Sequence, residues 1–329
     1  MDISSFLWIC LLIYLAAFTI LFIFPTLIHQ KRDFALSKRI IALKRMAAFS
    51  HRGGQKENFE NSISAFRHSI KLGYFGLELD VFRSKCGKLV VAHDENLIRS
   101  TGQDTHISDI DYKDIGPYKE TIHDSWSDET DVFTNPDQER PPLLEDLCKL
   151  VKDESVMLNI DLKSNDVDDF GRICEMLVKY KLEKRAVIGG FASDACKAKM
   201  RQMSCKIPMF FDVRDCAIFF NATFLGMLPF FTFKNDWIEV PHAFRHYFES
   251  SLHKEYFLAR VVGYIFWIES FYFRLVVWHM NRRGIPVVFW VLNCEEDWNK
   301  GISMGANGLM TDYPKRMKEF LVSKGLFDN

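Results

Sequence analysis

The eight cysteines of this chain form no C-x-x-C pair and no zinc-type spacing, which excludes a zinc ribbon and a thioredoxin-like redox motif. They read as reduced, mostly buried thiols of a protein facing a reducing compartment. A basic excess is missing as well. The 42 Lys and Arg are matched by 43 Asp and Glu, for a formal net charge of −1. A protein whose main partner is a phosphate backbone needs that excess, so nucleic acid is excluded. No segment repeats at a fixed period, which removes repeat arrays. The apolar N-terminus also lacks two marks of a cleaved signal peptide. Asp2 precedes it where a basic region would stand, and no small-residue cleavage site follows.

What is present begins with that N-terminus. Ile3 to Ile28, "ISSFLWICLLIYLAAFTILFIFPTLI", carries no charge. About 20 such residues cross roughly 30 Å of hydrocarbon, so residues 1–30 read as one transmembrane signal anchor. Residues 31–45 form a basic juxtamembrane segment with Lys31, Arg32, Lys38, Arg39, Lys44 and Arg45. The positive-inside rule then places the remainder in the cytoplasm; a lumenal orientation is the alternative. A basic helix beside a bilayer also suits anionic headgroups, which makes membrane lipid an expected partner. Nothing in the sequence points to a protein partner.

From Met46 onward, apolar runs alternate with helical patterns. "MAAFSH", "FGLELDVF", "KLVVAH", "VMLNIDLK", "RAVIGG", "IPMFFDV", "DWIEVPH" and "IPVVFWVLN" read as strands, with "GLMTD" as the last. Helices are expected over Asn61–Gly73, Asp168–Tyr180, Ala192–Ser204 and Cys294–Met304. Repeated βα units predict an α/β fold with a parallel sheet, open or closed into a barrel. Residues 95–142, poor in periodicity and rich in Asp, Gly, Pro and Ser, read as an insertion. A second, apolar insertion is expected over 213–270. Its core, Ala217–Phe233, is uncharged and holds six Phe, and "YFLARVVGYIFWIESFYF" follows it. A second membrane span there would put two halves of one barrel on opposite sides of a bilayer. The segment is expected instead to dip into the membrane interface or to line an acyl-chain channel near the barrel mouth. A hairpin packed on the barrel core is the alternative.

Polar residues collect at the ends of the proposed strands. His51 and Arg52 follow the first. Glu78 and Asp80 share one face of "GLELDVF", because side chains alternate with period two. His93 ends the third strand, and Asp161 and Lys163 share a face of "NIDLK". Barrel enzymes work at the C-terminal rim. Glu78, Asp80 and Asp161 could hold one hard divalent cation, Mg²⁺ or Ca²⁺, through oxygen, or could pair with Arg52 and Lys163. Histidines beside cations suit phosphoryl chemistry, since imidazole exchanges protons near neutral pH.

"HRGGQKENFENSISAF", "GLELDVFRSKCGKLVVAHDENLIRSTG", "NIDLK", "VFWVLN" and "MGANGLMTDYP" together resemble the glycerophosphodiester phosphodiesterase family, and the match runs in order from about Met46 to Leu321. The anchor, the "NIDLK" variant and the apolar insertion resemble its membrane-anchored animal branch, whose members act as lysophospholipase D. The resemblance implies a (β/α)8 TIM barrel over 46–322 with a small insertion, and metal-dependent phosphodiesterase activity. It implies His51 and His93 as acid/base residues and Glu78, Asp80 and Asp161 as ligands of one divalent metal. Asp161 stands where the family commonly has Glu, one methylene longer. It further implies Arg52 and Lys163 on the phosphate, and Glu57 and Asn58 as the Glu-Asn motif near the site. Trp290 would pack a glycerol or choline-bearing group, or serve in the core. The expected substrate is a lysophospholipid, cleaved to lysophosphatidic acid and an alcohol such as choline, ethanolamine or N-acylethanolamine; a water-soluble glycerophosphodiester is the alternative, as is an inactive lipid-binding barrel. A lipid substrate makes the endoplasmic reticulum the expected membrane.

Overall fold

The computed structural model describes residues 2–123, 130–135, 137–164, 166–190, 194–203, 207–241 and 272–328. Its centre is a sheet of seven parallel strands in the order β7-β6-β2-β1-β10-β9-β8. These are β1 (Ala47–Ser50), β2 (Gly76–Arg83), β6 (Met157–Leu162), β7 (Ala186–Gly190), β8 (Ile238–Pro241), β9 (Val287–Trp290) and β10 (Gly308–Thr311). An eighth segment closes the ring. Met209 bridges Ile188 and Phe210 bridges Trp237, both in parallel register. Phe210 N–H donates to Ile188 O at 3.2 Å and Phe211 N–H to Trp237 O at 2.8 Å. Eight parallel positions in sequence order make a (β/α)8 barrel.

Alternation sorts the side chains. Leu77, Leu79, Val81, Leu158, Ile160 and Leu162 point outward into one core layer beneath the helices. Phe49, Met157, Val187, Trp237, Val288 and Met310 form an apolar cluster with Phe75. Phe49 needs room that its neighbours supply: a Cβ on Gly76 or Gly308 would lie 2.4 or 2.5 Å from its ring. The same cluster takes in Leu36 and Ile40 of α2 (Ala35–Ile41), both buried. The basic 31–45 segment is thus part of the domain as well as a linker. It buries an apolar stripe while Lys38 stays exposed, and the Arg39 guanidinium lies 4.8 Å over the Phe75 ring.

Two sequence expectations change here. β3 (Leu89–Val91) pairs antiparallel with β2, so it is not a barrel strand and His93 does not end one. The hairpin instead folds back along β2, where Ala92 N–H reaches Asp80 O at 3.1 Å. The insertion that follows carries a small antiparallel pair, β4 (Thr121–His123) with β5 (Thr130–Val132). The apolar stretch differs too. The helix Val213–Phe224 and the turn Leu228–Phe230 precede β8, so the turn lies at the N-terminal end of the barrel, away from the mouth. Phe219, Leu228 and Phe233 are buried in the second core layer. These buried side chains cover strands, as in the packed-hairpin alternative, while Phe224, Leu225, Met227 and Phe231 of the same stretch stay exposed. β8 itself lies within 213–270 and belongs to the barrel. Residues 242–271, with most of the following aromatic cluster, lie outside the described residues.

α1 (Ile3–Ile23) is the one helix among the described residues long and apolar enough to cross a membrane, with a mean hydropathy of 2.7. Asp2 caps it, accepting from Ser5 N–H at 2.7 Å.

Candidate active site

β2 and β6 place the acids. In their register Glu78 faces Asn159 and Asp80 faces Asp161, so alternation turns all four into the barrel near its C-terminal rim. Lys163, just past β6, bridges them: Nζ lies 2.8 Å from Asp80 Oδ1 and 2.6 Å from Asp161 Oδ2. Arg52 sits behind, almost wholly buried, with its backbone N–H donating to Glu78 Oε2 at 2.8 Å and Nε 3.7 Å from Asp80 Oδ2. Arg52 holds φ at +50°, a left-handed conformation that costs energy in a non-glycine residue and concentrates at functional sites.

The electrostatics are uneven. Burial would raise Asp80, but Lys163 and then Arg52 hold it well below the carboxylate range. Burial, then Asp80 beside it, pushes Glu78 well up, and burial also raises Asp161. Lys163 is raised in return: Asp80 and Asp161 outweigh its desolvation.

Each histidine is held at Nδ1 by a carboxylate. His51 Nδ1–H donates to Asp312 Oδ1 at 2.6 Å, and Asn293 Nδ2 donates to the other oxygen at 2.7 Å. His93 Nδ1–H donates to Asp94 Oδ1 at 2.7 Å. Burial opposes ionisation of both acids, yet His51 keeps Asp312 low and His93 with Arg99 keeps Asp94 down at about 2. An ionised carboxylate only accepts, so each ring carries a proton on Nδ1 and leaves Nε2 as the atom that can take or give a proton. His51 Nε2 is 3.9 Å from Glu78 Oε2.

The site includes residues the sequence reading passed over. "ENFEN" contains two Glu-Asn pairs, and the structure uses the second. Glu60, buried, accepts from Arg99 Nη1 at 2.9 Å and Arg52 Nη1 at 3.4 Å. Arg99 in turn binds Asp94, so one chain of charges links Arg52 to His93. Asn61 donates to Asp80 Oδ2 at 3.0 Å and holds φ at +57°. Glu57 instead accepts from Lys315 and Arg316 N–H at the N-terminus of Pro314–Ser323 and lies 3.2 Å from His68. That is a favourable place for an anion, away from the acids. Asn58 is half-buried, its N–H on Gly54 O. Glu239, on β8, was also missed: it turns inward and accepts from Asn159 Nδ2 at 2.7 Å. Trp290 is half-buried at the end of β9, packed on the apolar cluster.

Among the described residues no three acidic, imidazole or thiol groups already close around a common point, because the Lys163 ammonium stands between Asp80 and Asp161. The donor set nonetheless fits a hard divalent cation. It offers carboxylate oxygens from adjacent strands, and Asp161 Oδ1 is buried without a hydrogen-bond partner.

Residues 51–316 match the model of the glycerophosphoryl diester phosphodiesterase family. The chain is 32% identical over 311 residues to lysophospholipase D GDPD1 of Homo sapiens, covering 94% of both chains. It is 28% identical to lysophospholipase D GDPD3 of Homo sapiens, covering 92% of this chain and 90% of that one. Among solved structures it resembles a phosphodiesterase of Oleispira antarctica in complex with the product sn-glycerol-3-phosphate, at a TM-score of 0.58 and 15% identity over 85% of this chain and 97% of that one. It likewise resembles a glycerophosphodiester phosphodiesterase of Agrobacterium tumefaciens, at a TM-score of 0.55 and 15% identity, covering 83% and 99%; both show the shared barrel. Matched over most of its length by the family model, and at nearly full length by the human relatives, the chain belongs to the glycerophosphoryl diester phosphodiesterase family.

Proposed function

We propose that the protein is a membrane-anchored lysophospholipase D that hydrolyses the phosphodiester of a lysophospholipid, giving lysophosphatidic acid and the headgroup alcohol. The observation that carries the chemistry is the pair of imidazoles, each fixed at Nδ1 by a carboxylate, flanking two cations and three inward acids. Two relatives named lysophospholipase D, similar over nearly the whole length, support the substrate class.

Glu78, Asp80 and Asp161 would hold one divalent ion, Mg²⁺ or Ca²⁺, in competition with the Lys163 ammonium. Such an ion supplies Lewis-acid polarisation of the phosphate and a lowered pKa for a bound hydroxyl. Arg52 and Lys163 stabilise charge on the phosphate oxygens. One histidine Nε2 takes the proton of the attacking hydroxyl: water, which gives the monoester directly, or the free 2-hydroxyl of the glycerol, which gives a cyclic phosphate that water opens in a second step. The other, protonated at Nε2, delivers a proton to the leaving alcohol. Asp312 and Asp94 keep both rings in the tautomer and orientation this needs. Trp290, at the mouth, packs the glycerol or headgroup carbons. The basic residues after α1 support a barrel on the cytoplasmic face under the positive-inside rule, and a lipid substrate supports the endoplasmic reticulum as its membrane.

The test is release of choline from lysophosphatidylcholine and from glycerophosphocholine by the full chain in vesicles. EDTA should abolish release, Mg²⁺ or Ca²⁺ should restore it, and lysophosphatidylcholine should be the better substrate. Activity indifferent to EDTA, or retained in His51→Ala, would sink the reading.

A further inference from the structure

The anchor does not leave the barrel as a free tether. Tyr14, Ala17, Phe18, Leu21 and Phe22 fall on one face of α1 and are its half-buried residues, which is helical spacing. Tyr14 Oη donates to Gly226 O at 2.7 Å, and its ring lies 6.0 Å from Phe230. Phe22 stacks 4.7 Å from the His279 ring and 5.9 Å from Trp278, while His279 Nδ1–H donates to Phe22 O at 2.9 Å. Below the helix, Arg32 pairs with Asp236 at 3.1 Å and its N–H donates to Arg283 O at 2.8 Å. Hydrogen bonds, ring contacts and an ion pair therefore fix the second half of α1 to the barrel.

That fixed geometry sets a depth. Twenty-one residues at about 1.5 Å each span about 31 Å, the thickness of the hydrocarbon. Tyr14 lies near the midpoint, about 16 Å along. Any membrane that holds α1 must then also receive what packs on Tyr14 through Phe22. Around those contacts the barrel exposes Phe224, Leu225, Met227 and Phe231, with Leu275 and Trp278 on the 272–282 helix; Leu225 is 65% and Leu275 58% exposed. Arg282, exposed at the helix end, stacks 5.0 Å from the Trp278 ring, an apolar stem with a charged tip that reaches toward water. Apolar groups this exposed and contiguous call for an apolar partner.

We propose that this collar, Phe224 to Phe231 with Leu275 and Trp278, is immersed in the acyl-chain layer of the leaflet nearest the barrel. The protein is then held by α1 and by the flank of the catalytic domain together, and the barrel cannot reorient freely about its anchor. The occupant is bilayer hydrocarbon, because the collar is continuous with a face that already meets it.

The experiment uses the full chain in phosphatidylcholine vesicles whose acyl chains carry a mid-chain diazirine. After irradiation, lipid adducts are mapped by mass spectrometry. Adducts are expected on 224–231 and 272–282 as well as on α1; adducts confined to α1 overturn the proposal. A Leu225→Glu/Leu275→Glu variant supplies the second arm, since both positions are exposed and remote from the catalytic residues. Its collar adducts, normalised to those on α1, should fall by at least about tenfold, since each acid in hydrocarbon is disfavoured by more than that factor. Choline release from glycerophosphocholine should be unchanged, showing an intact barrel. Normalised collar labelling equal to wild type, in an active variant, refutes immersion.

Discussion

Glu239→Gln isolates one buried charge. Burial, reinforced by Asp161, pushes Glu239 from 4.5 up to about 8 despite the hydrogen bond from Asn159. The folded protein therefore holds a proton at neutral pH that the unfolded chain releases. The neighbouring Asn159 Oδ1, buried without a partner, is an acceptor that a protonated carboxyl suits. The sign follows from linkage: between 4.5 and about 8 the folded state binds more protons, so this group's contribution is fully present at low pH and fades as pH rises. At about 1.4 kcal/mol per pH unit, holding the proton at pH 7 costs about 3 kcal/mol, nearer 2 once solvent access through the barrel mouth is allowed for. Glutamine mimics the protonated acid and removes that cost. Glu239→Gln should match wild type near pH 4.5 and exceed it at pH 7 to 8 by about 2–3 kcal/mol, roughly 4–8 °C in apparent Tm. Thermal melts of the detergent-solubilised full chain across pH 4.5–8, in EDTA, provide the measurement. A difference that stays constant with pH, or a variant less stable at pH 8 than at pH 5 relative to wild type, would show Glu239 to be ionised and refute the argument.

Other substitutions separate the site from its surroundings. Glu60→Gln should cost about 3 kcal/mol of stability and most of the activity, because Arg99 and Arg52 lose a buried partner; Glu57→Gln, checked in the same melts and choline-release assay, should cost under about 1 kcal/mol and leave turnover nearly intact. Asp312→Asn should lower kcat by at least about 100-fold with KM little changed, since it upsets the His51 tautomer rather than substrate binding. Lys163→Gln should lower kcat yet tighten the apparent Kd for Mg²⁺ or Ca²⁺ in thermal-shift titrations, because the ammonium competes for the same oxygens. Phe219→Ala should destabilise by about 3–5 kcal/mol as a core residue, whereas Leu225→Ala in detergent should stay within about 0.5 kcal/mol.

Period-two alternation along "GLELDVF" and "NIDLK" was enough to bring Glu78, Asp80 and Asp161 to one face, because a strand admits only two faces and the outward one is filled by Leu and Val. The uncharged stretch after Asp2 declared, by length alone, a helix apolar enough to cross a membrane. Parallel βα order implied a barrel, and the ring closes through residues 209–211, inside the "IPMFFDV" run that reads as a strand. Where sequence failed, the deciding quantity was distance between segments remote in the chain. Asp312 meets His51 across 261 positions and Arg99 meets Glu60 across 39, and neither pairing leaves a local period. The two Glu-Asn pairs of "ENFEN" read alike, and only the turn after β1 aims one at the cations and the other at a helix end. The apolar run 217–233 has a composition that suits core, membrane or channel equally. Tertiary packing divides it, burying Phe219 and Phe233 against strands and leaving Leu225 and Phe231 outward beside α1. Composition sets what a segment can bury against; which of its faces is covered depends on neighbours that only the folded chain brings near.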